Sequence, residues 1–405
     1  MDYDLSEKRK VVLGITGSIA AYKAVEVARQ LVSYGHEVRC VMTDSAQKFI
    51  TPLTMQSVTG NKVVSDFWEG GSAEIGHIEI ASWADVVVVA PATADFVAKL
   101  NAGFAESPLL VICLATKAPI LIAPAMNCNM YTNVKTQENI QALRSRGVFF
   151  IDPEEGELAC GSSGVGRLAD PQEIFYATRR LISRADFKGK RVLITAGPTR
   201  EPIDPVRYIS NRSSGKMGVA LAREAYRRGA EVTVIHGPLK SELPRSVKSV
   251  EIVTAQEMYE QVLAHAFPAG GIGVDVVIMA AAVADFRPKE TAPNKIKKSG
   301  VLKSIELVKN LDILLALGEK RAKTRNPLLI GFAVETGEIE DLINEARAKL
   351  ERKHCDLIVG NFAQDAFDLE TDRVWLVDRS GKQEEVSTTH KSRIATKILD
   401  RVLKL

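Results

Sequence analysis

The amino-acid sequence predicts an α/β fold built as two tandem doubly wound, Rossmann-like domains. Three observations predict it. Short valine- and isoleucine-rich runs alternate with longer amphipathic stretches, the pattern of parallel sheets covered by helices. One such run in each half ends in a glycine-bearing turn, at Gly14 and Gly17 and again at Gly197. Residues 84–96 (ADVVVVAPATADF) also align without gaps on residues 274–286 (VDVVIMAAAVADF), with 8 of 13 positions identical, so the halves are expected to share an architecture.

A chain of 405 residues is long enough for two ordinary domains. With 46% hydrophobic and 25% charged residues it has the composition of a soluble globular protein. A net charge of +3 gives no global case for nucleic-acid binding, so any basic patch is local. No apolar run reaches the ~18 residues of a membrane span. The longest candidate, 108–126, is broken by Lys117, Pro119 and Pro124. The charged start, MDYDLSEKRK, does not read as a signal peptide. Five cysteines without a CxxC pair argue against a disulfide scaffold or a zinc site, and for the reducing cytoplasm.

In chain order, residues 10–14 read as a buried strand. The turn Ile15-Thr16-Gly17-Ser18-Ile19-Ala20-Ala21 leads into a helix to about Ser33, and 38–42 is a second strand. Short of a full GxGxxG, the turn reads equally as a phosphate cradle at a helix N-terminus or as a plain tight turn. Residues 51–60 form a helix stopped by glycine. His77 follows a glycine-rich loop, either as a catalytic imidazole or within a helix start capped by Ser72. The run 85–89 is a central strand ending at Ala90-Pro91-Ala92-Thr93-Ala94-Asp95, where an open sheet has its binding crevice. A strand at 120–123 ends in Pro124-Ala125-Met126-Asn127. Asn127 either donates to a carboxylate or satisfies its own loop. Glycines surround Cys160 in LACGSSGVGR, a setting for a thiol proton donor or nucleophile on a lid. A helix over 171–183 closes the first domain, and the charged stretch 184–190 is the expected boundary.

The second half opens on LITAGPTREPIDPVRYISNRSSGKMG, residues 193–218, the stretch around which the chain is best read. A strand leaves at Ala196-Gly197-Pro198 into a polar loop carrying Arg200, Arg207, Arg212 and Lys216 among Ser210, Asn211, Ser213 and Ser214. A helix follows at 217–228. Strand, cationic glycine-bearing loop and helix N-terminus together suit phosphates. A strand at 231–235 and a linker at 240–248 come next. Asp285 follows a strand end, where a carboxylate can hold a metal or a ribose. Lys295, Lys297 and Lys298 sit in the basic stretch 288–304, which reads as a flap over a polyphosphate or as a solvated loop. A strand at 328–332 precedes a helix at 338–354, whose Lys349 and Lys353 share a face. A last core strand at 355–360 and a hairpin of 373–378 with 383–387 complete the fold. The residues alone describe nucleotidyl transfer, with cations and Mg²⁺ neutralising an attacked α-phosphate. Walker A, GxxxxGK[ST], is absent.

Several motifs then match together, over essentially the full length. In the first half they are Gly14-Ile15-Thr16-Gly17-Ser18-Ile19-Ala20-Ala21-Tyr22-Lys23, Gly76-His77-Ile78-Glu79, Ala90-Pro91-Ala92-Thr93-Ala94-Asp95, Pro124-Ala125-Met126-Asn127 and Ala159-Cys160-Gly161. In the second they are 194–218, 280–287, Lys295-Ile296-Lys297-Lys298 and Gly331-Phe332-Ala333-Val334-Glu335-Thr336. The set resembles the bifunctional phosphopantothenoylcysteine decarboxylase / phosphopantothenate–cysteine ligase family of coenzyme A biosynthesis. The resemblance implies a flavodoxin-like FMN domain over 1–184 and a nucleotide-binding ligase domain over 190–405. FMN phosphate would sit on Gly17, Ser18 and Ile19, with Thr43, Ser45, Ala92 and Thr93 touching phosphate or ring. The flavin oxidises the substrate thiol to a thioaldehyde, which eases CO₂ loss, and then returns its electrons. Cys160 would give the final proton, His77 would act as base or orienter, and Asn127 with Met126 would hold the substrate carboxylate.

For the second domain the resemblance implies activation of 4'-phosphopantothenate by CTP to an acyl-cytidylate, followed by attack of cysteine. Asn211 matches the residue tied to that intermediate, and Lys295 the flap lysine. Asp285 would contribute to Mg²⁺ or nucleotide binding, and Phe332, Lys349 and Lys353 fall in the nucleotide site. The segment 210–218 resembles a dimer-forming stretch. Decarboxylase trimers joined by ligase dimers would make a dodecamer in the cytoplasm, with no nucleic-acid or membrane partner. The chain departs from the family pattern at Val334 and at Gly360-Asn361-Phe362, where Ala and Ala-Asn-Asp are common.

Overall fold

Valine-rich runs flanked by amphipathic helices fold here as two covered sheets. The computed structural model describes residues 8–66, 76–157, 161, 163–297, 304–321, 326–366 and 369–405. The chain divides into two units, Met1–Arg184 and Ala185–Leu405.

In the first unit, strands β1 (Lys10–Ile15), β2 (Glu37–Met42), β3 (Val86–Ala92), β4 (Ile120–Pro124) and β5 (Phe149–Phe150) form one parallel sheet in the order β2-β1-β3-β4-β5. This is the flavodoxin-like order, with the crevice at the β1/β3 switch point. The alternating residues of β1 and β3 divide between two cores. Val11, Leu13, Val86 and Val88 pack with helices Lys23–Ser33 and Pro171–Leu181. Val12, Val87 and Val89 pack with helices Gly76–Trp83, Ala94–Ala102 and Pro108–Ala115. Both faces being buried explains why the strands are continuous apolar runs. A separate antiparallel hairpin pairs β6 (Glu154–Glu157) with β7 (Ser163–Arg167).

The second unit contains β8 (Arg191–Ala196), β9 (Arg200–Pro202), β10 (Tyr208–Ser210), β11 (Glu231–His236), β12 (Lys248–Glu251), β13 (Val276–Met279), β14 (Phe286–Pro288), β15 (Leu307–Lys309), β16 (Leu328–Glu335), β17 (Leu357–Phe362), β18 (Thr371–Asp378) and β19 (Gln383–His390). Its main sheet runs β12-β11-β8-β13-β16-β17-β18-β19. The first six strands are parallel and follow the dinucleotide-fold order 3-2-1-4-5-6, and the last two are antiparallel. The doubly wound reading therefore holds for both halves, with different strand orders.

Several local expectations change. The linker at 240–248 ends in a strand, because Lys248 opens β12 beside β11. The strand expected at 355–360 runs over Leu357–Phe362 and is interior, since the C-terminal hairpin extends the same sheet beyond it. The polar loop after Gly197 contains the β9–β10 hairpin. The internal repeat is real only in its first part. Asp85 and Asp275 each accept the first strand's N–H, from Lys10 at 2.8 Å and Arg191 at 2.7 Å. The shared Ala-Asp-Phe diverges: Ala94-Asp95-Phe96 starts a helix and buries Phe96, whereas Ala284-Asp285-Phe286 runs into β14 with Phe286 exposed. Thr93 explains this by capping that helix through Phe96 N–H, where the second half has Val283.

Burial also fixes the thiols. It pushes Cys40, Cys113 and Cys355 up to about 12. Among the described residues the largest fully buried side chain is Arg228, which pairs with Asp186 and Asp400 at 2.7 and 2.8 Å and lies over Phe187. Replacing Arg228 with Leu removes the buried guanidinium that both carboxylates pair with, so a loss of about 3 kcal/mol is expected. Urea denaturation measures it, and an unchanged midpoint refutes the role.

Candidate functional site

In the first unit the crevice forms where β1, β3 and β4 end. The turn after β1 keeps Gly17 because a Cβ there would stand 2.3 Å from Ser45 Cβ, so the two loops touch. Ser18 is extended and caps the short 3-10 turn Ile19–Tyr22, its Oγ accepting from Ala20 N–H at 3.3 Å. Thr43 N–H donates to Ile15 O at 3.1 Å, and Thr43 Oγ1 accepts from Ala46 N–H at 3.3 Å. The exit of β3 is tied to the same turn by Thr16. Its hydroxyl donates to Pro91 O at 2.8 Å and accepts from Thr93 N–H at 3.0 Å. Gly17, Ser18, Ile19, Thr43, Ser45, Ala92 and Thr93 are thus brought together by backbone packing. Sequence reading passed over Thr16, which organises them, although it stands inside the motif.

Ala125 N–H donates to Ala92 O at 2.9 Å, which sets Met126 and Asn127 beside the same crevice. Asn127 Oδ1 accepts from Asn129 N–H at 2.9 Å and caps helix Cys128–Thr132, so the local satisfaction weighed for it does occur. Met126 N–H donates to Gly166 O at 3.0 Å, which fastens the β6–β7 hairpin against this loop. Cys160 and Ser72 lie outside the described residues. His77 stands half-buried in the first turn of helix Gly76–Trp83.

In the second unit the corresponding crevice lies between β8 and β13. Thr195 Oγ1 accepts from Ala281 N–H at 3.1 Å, and Thr199 Oγ1 from Ala284 N–H at 3.0 Å. Helix Lys216–Arg227 starts here from Gly215, without a side-chain cap. It can press against β8 because Gly218 has no Cβ; one would stand 2.5 Å from Ala196 Cβ. First-turn N–H groups, which have no intrahelical acceptor, suit an anion at a helix start.

The cations expected to hold phosphate are largely engaged. Arg200 lies over Tyr208, Arg207 pairs with Asp204 at 3.3 Å, and Lys216 pairs with Glu370 at 2.7 Å. Burial raises the Asp204 carboxyl, but N–H donors from Val206, Ile296 and Arg207, with the Arg207 charge, hold it below the usual range. Through Ile296 N–H, at 3.1 Å, Asp204 also anchors the stretch carrying Lys295 and Lys297. Lys298 is outside the described residues. Asn211 Nδ2 donates to Val283 O at 2.9 Å.

Beside this lies a cleft of about 510 Å³, lined by Asp285, Asn310, Asp312, Phe332, Lys349 and Lys353 among others. All four nucleotide residues singled out from the sequence other than Lys295 meet here. Lys349 Nζ donates to Phe332 O at 3.0 Å, and Lys353 pairs with Asp312. Burial lowers the Lys353 ammonium, with Cys355 and Asp285 opposing. Asn310 and Asp312 were not singled out; their signal was the Lys-Asn-Leu-Asp run after β15. Among the described residues no three metal-ligating side chains cluster. Asp285 brings one carboxylate to the cleft. No helix among the described residues is long and apolar enough to cross a membrane.

Comparison with known proteins gives two family matches. The flavoprotein family matches residues 2–183, and the DNA/pantothenate metabolism flavoprotein C-terminal domain matches residues 187–405. The coenzyme A biosynthesis bifunctional protein CoaBC of Haemophilus influenzae is 47% identical over 87% of this chain and 86% of its own. That of Vibrio cholerae is 44% identical over 96% of this chain and 97% of its own. A solved C-terminal domain of a CoaBC protein is 40% identical, covering 54% of this chain and 96% of that one, with a TM-score of 0.45.

Thr16→Val keeps the shape of the first crevice and removes its hydroxyl bridge. A loss of about 1–3 kcal/mol is expected from the unsatisfied peptide groups. Chemical denaturation measures it, and a change within ±0.5 kcal/mol, the range of an ordinary surface substitution, would show that the bridge is dispensable.

Proposed function

The chain belongs to the family of coenzyme A biosynthesis bifunctional proteins, with a decarboxylase and a ligase domain, and from that premise we propose how its residues divide the two reactions. The protein is a bifunctional enzyme of coenzyme A biosynthesis. The ligase domain, placed at 190–405, joins cysteine to 4'-phosphopantothenate using CTP. The decarboxylase domain, placed at 1–184, converts the product to 4'-phosphopantetheine with FMN. The observation that carries the reading is the meeting of Asp285, Phe332, Lys349 and Lys353 in one cleft of the second unit.

In the first domain, Gly17, Ser18 and Ile19 would receive the FMN phosphate on backbone N–H groups, with Thr43 and Ser45 from the touching loop. The exits of β3 and β4, at Ala92, Thr93 and Met126, would flank the ring. FMN bound there supplies two-electron redox chemistry at the substrate thiol. Asn127, its amide oriented by the Asn129 N–H, would donate to the substrate carboxylate. His77 would orient or deprotonate the thiol, and Cys160 would deliver the last proton.

In the second domain, the start of helix Lys216–Arg227 would take phosphate, while Lys349, Lys353 and Phe332 hold the nucleoside end. Asp285 would share Mg²⁺ with the phosphates. Asn211 is anchored to Val283 O beside the cleft, and would face the acyl-cytidylate. Lys295 would close over it. Trimers of the first domain joined through dimers of the second, in the cytoplasm, complete the proposal.

Three outcomes test it. Gly17→Ala should weaken FMN binding at least about tenfold, read as loss of yellow colour and of flavin fluorescence change. A normal flavin spectrum would remove the phosphate assignment. Cys160→Ser should keep CO₂ release but lower phosphopantetheine yield by about 10²-fold or more. Lys349→Ala, by contrast, should raise the KM for CTP about 10–100-fold and leave decarboxylation unchanged.

A further inference from the structure

A cavity of about 790 Å³ opens in the second unit where β11 and the terminal strand β12 end. None of the residues lining it has a part in the reactions above. One of them is a buried imidazole: His236, the last residue of β11, is 7% exposed. Its Nδ1 stands 2.7 Å from Gly237 O, and its Nε2 stands 2.6 Å from Ser249 Oγ. A carbonyl only accepts, so in the neutral ring Nδ1 carries the proton and Nε2 is a bare acceptor. Ser249 is therefore the donor, with its O–H aimed at the imidazole.

The carbonyl that orients the ring is itself held. Gly237 N–H donates to Ala196 O at 3.1 Å, and a Cβ on Gly237 would stand 1.8 Å from Pro198 O. Ser249, by contrast, is exposed on the outermost strand of the sheet. Ile252 N–H donates to His236 O at 2.9 Å. Alternate residues of a parallel strand turn their peptide groups to opposite sides, so Ser249 N–H faces away from β11, to the open edge. Glu251 is the register partner of His236 and lines the same cavity, where its carboxylate favours a protonated ring. Leu243, Pro244 and Val247 add apolar lining. The ladder already joins β11 to β12 over four residue pairs, so the strands need no side-chain staple. A hydroxyl on a base, the base on an orienting acceptor and an outward N–H beside the hydroxyl, all at one cavity, suit acyl transfer.

We propose that Ser249 and His236 form a further catalytic site, a serine–histidine dyad that hydrolyses carboxylic esters with a small apolar acyl group. Ser249 Oγ bonds to the ester carbonyl carbon as its proton passes to His236 Nε2, and Ser249 N–H donates to the oxyanion. The bond from that carbon to the leaving oxygen then breaks, and the alcohol departs with the proton. A water next gives a proton to Nε2 and its oxygen to the acyl carbon. The carboxylic acid leaves, and the proton on Nε2 returns to Ser249 Oγ.

The test uses the full-length protein, p-nitrophenyl butyrate and a fluorophosphonate probe. The wild type should release p-nitrophenol, and mass spectrometry should find the probe on Ser249. Ser249→Ala should lower p-nitrophenol release about 10²-fold or more and leave pyrophosphate release from CTP and 4'-phosphopantothenate unchanged. His236→Gln should leave Ser249 unlabelled. Because that ring is buried, pyrophosphate release shows whether the variant has folded, and the wild type and Ser249→Ala decide the question without it. Ester hydrolysis by Ser249→Ala at the wild-type rate overturns the proposal. So does a wild type without probe on Ser249, equal labelling of native and urea-unfolded protein, or labelling that persists in folded His236→Gln.

Discussion

A buried threonine hydroxyl between the exits of neighbouring parallel strands sets the width of each crevice. The ladder of a parallel sheet satisfies backbone groups only as far as the strands run. Beyond it, peptide groups need other partners. In the first unit Thr16 supplies both, donating to Pro91 O and accepting from Thr93 N–H. In the second unit the work is split, Thr195 taking Ala281 N–H and Thr199 taking Ala284 N–H. Each bridge holds the turn after the first strand against the turn after the central strand. Everything proposed to bind a ligand then hangs from those turns: the Gly17 cradle and the Thr93 helix cap in one unit, the helix start at Lys216 and the route to Asp285 in the other.

The two units share this device on sheets of different order. Asp85 and Asp275 serve both at the opposite end, each accepting the first N–H of the neighbouring strand. Between these points, the shared Asp-Val-Val keeps its structure and the shared Ala-Asp-Phe does not. One threonine decides the difference: with Thr93 a helix begins at once, and with Val283 the chain stays extended and carries Asp285 to the cleft instead. The same triplet therefore buries an aromatic ring in one unit and presents a carboxylate to the cleft in the other.

What was legible in the sequence follows from these constraints. Strands buried on both faces must be continuously apolar, so β1, β3, β8, β13 and β16 were plain. The β9–β10 hairpin and β12 were not, because three- and four-residue strands carry too few side chains to establish a period. The first crevice was legible because its residues are neighbours within short motifs. The cleft was half legible: Lys349 and Lys353 share a helix face, but Asp312 becomes a partner only through the fold.

The charge layout of the second crevice separates structural from binding cations. Asp204 is buried, and its oxygens take three backbone N–H groups as well as Arg207, so that pair holds the hairpin and the Lys295 stretch in place. Breaking it would strand a buried carboxylate, and a ligand has little means of offsetting that. Lys216 differs, because its partner Glu370 is largely exposed. A pair with one partner in water is weaker than one with a buried carboxylate, so a phosphate at the helix start would compete for Lys216 more readily than for Arg207. In the cleft Lys349 is already oriented by Phe332 O, which removes part of the ordering entropy before any nucleotide arrives. An oriented lysine at one end and a recruitable lysine at the other are what the proposed nucleotide would require, its base held in the cleft and its phosphates at the helix start.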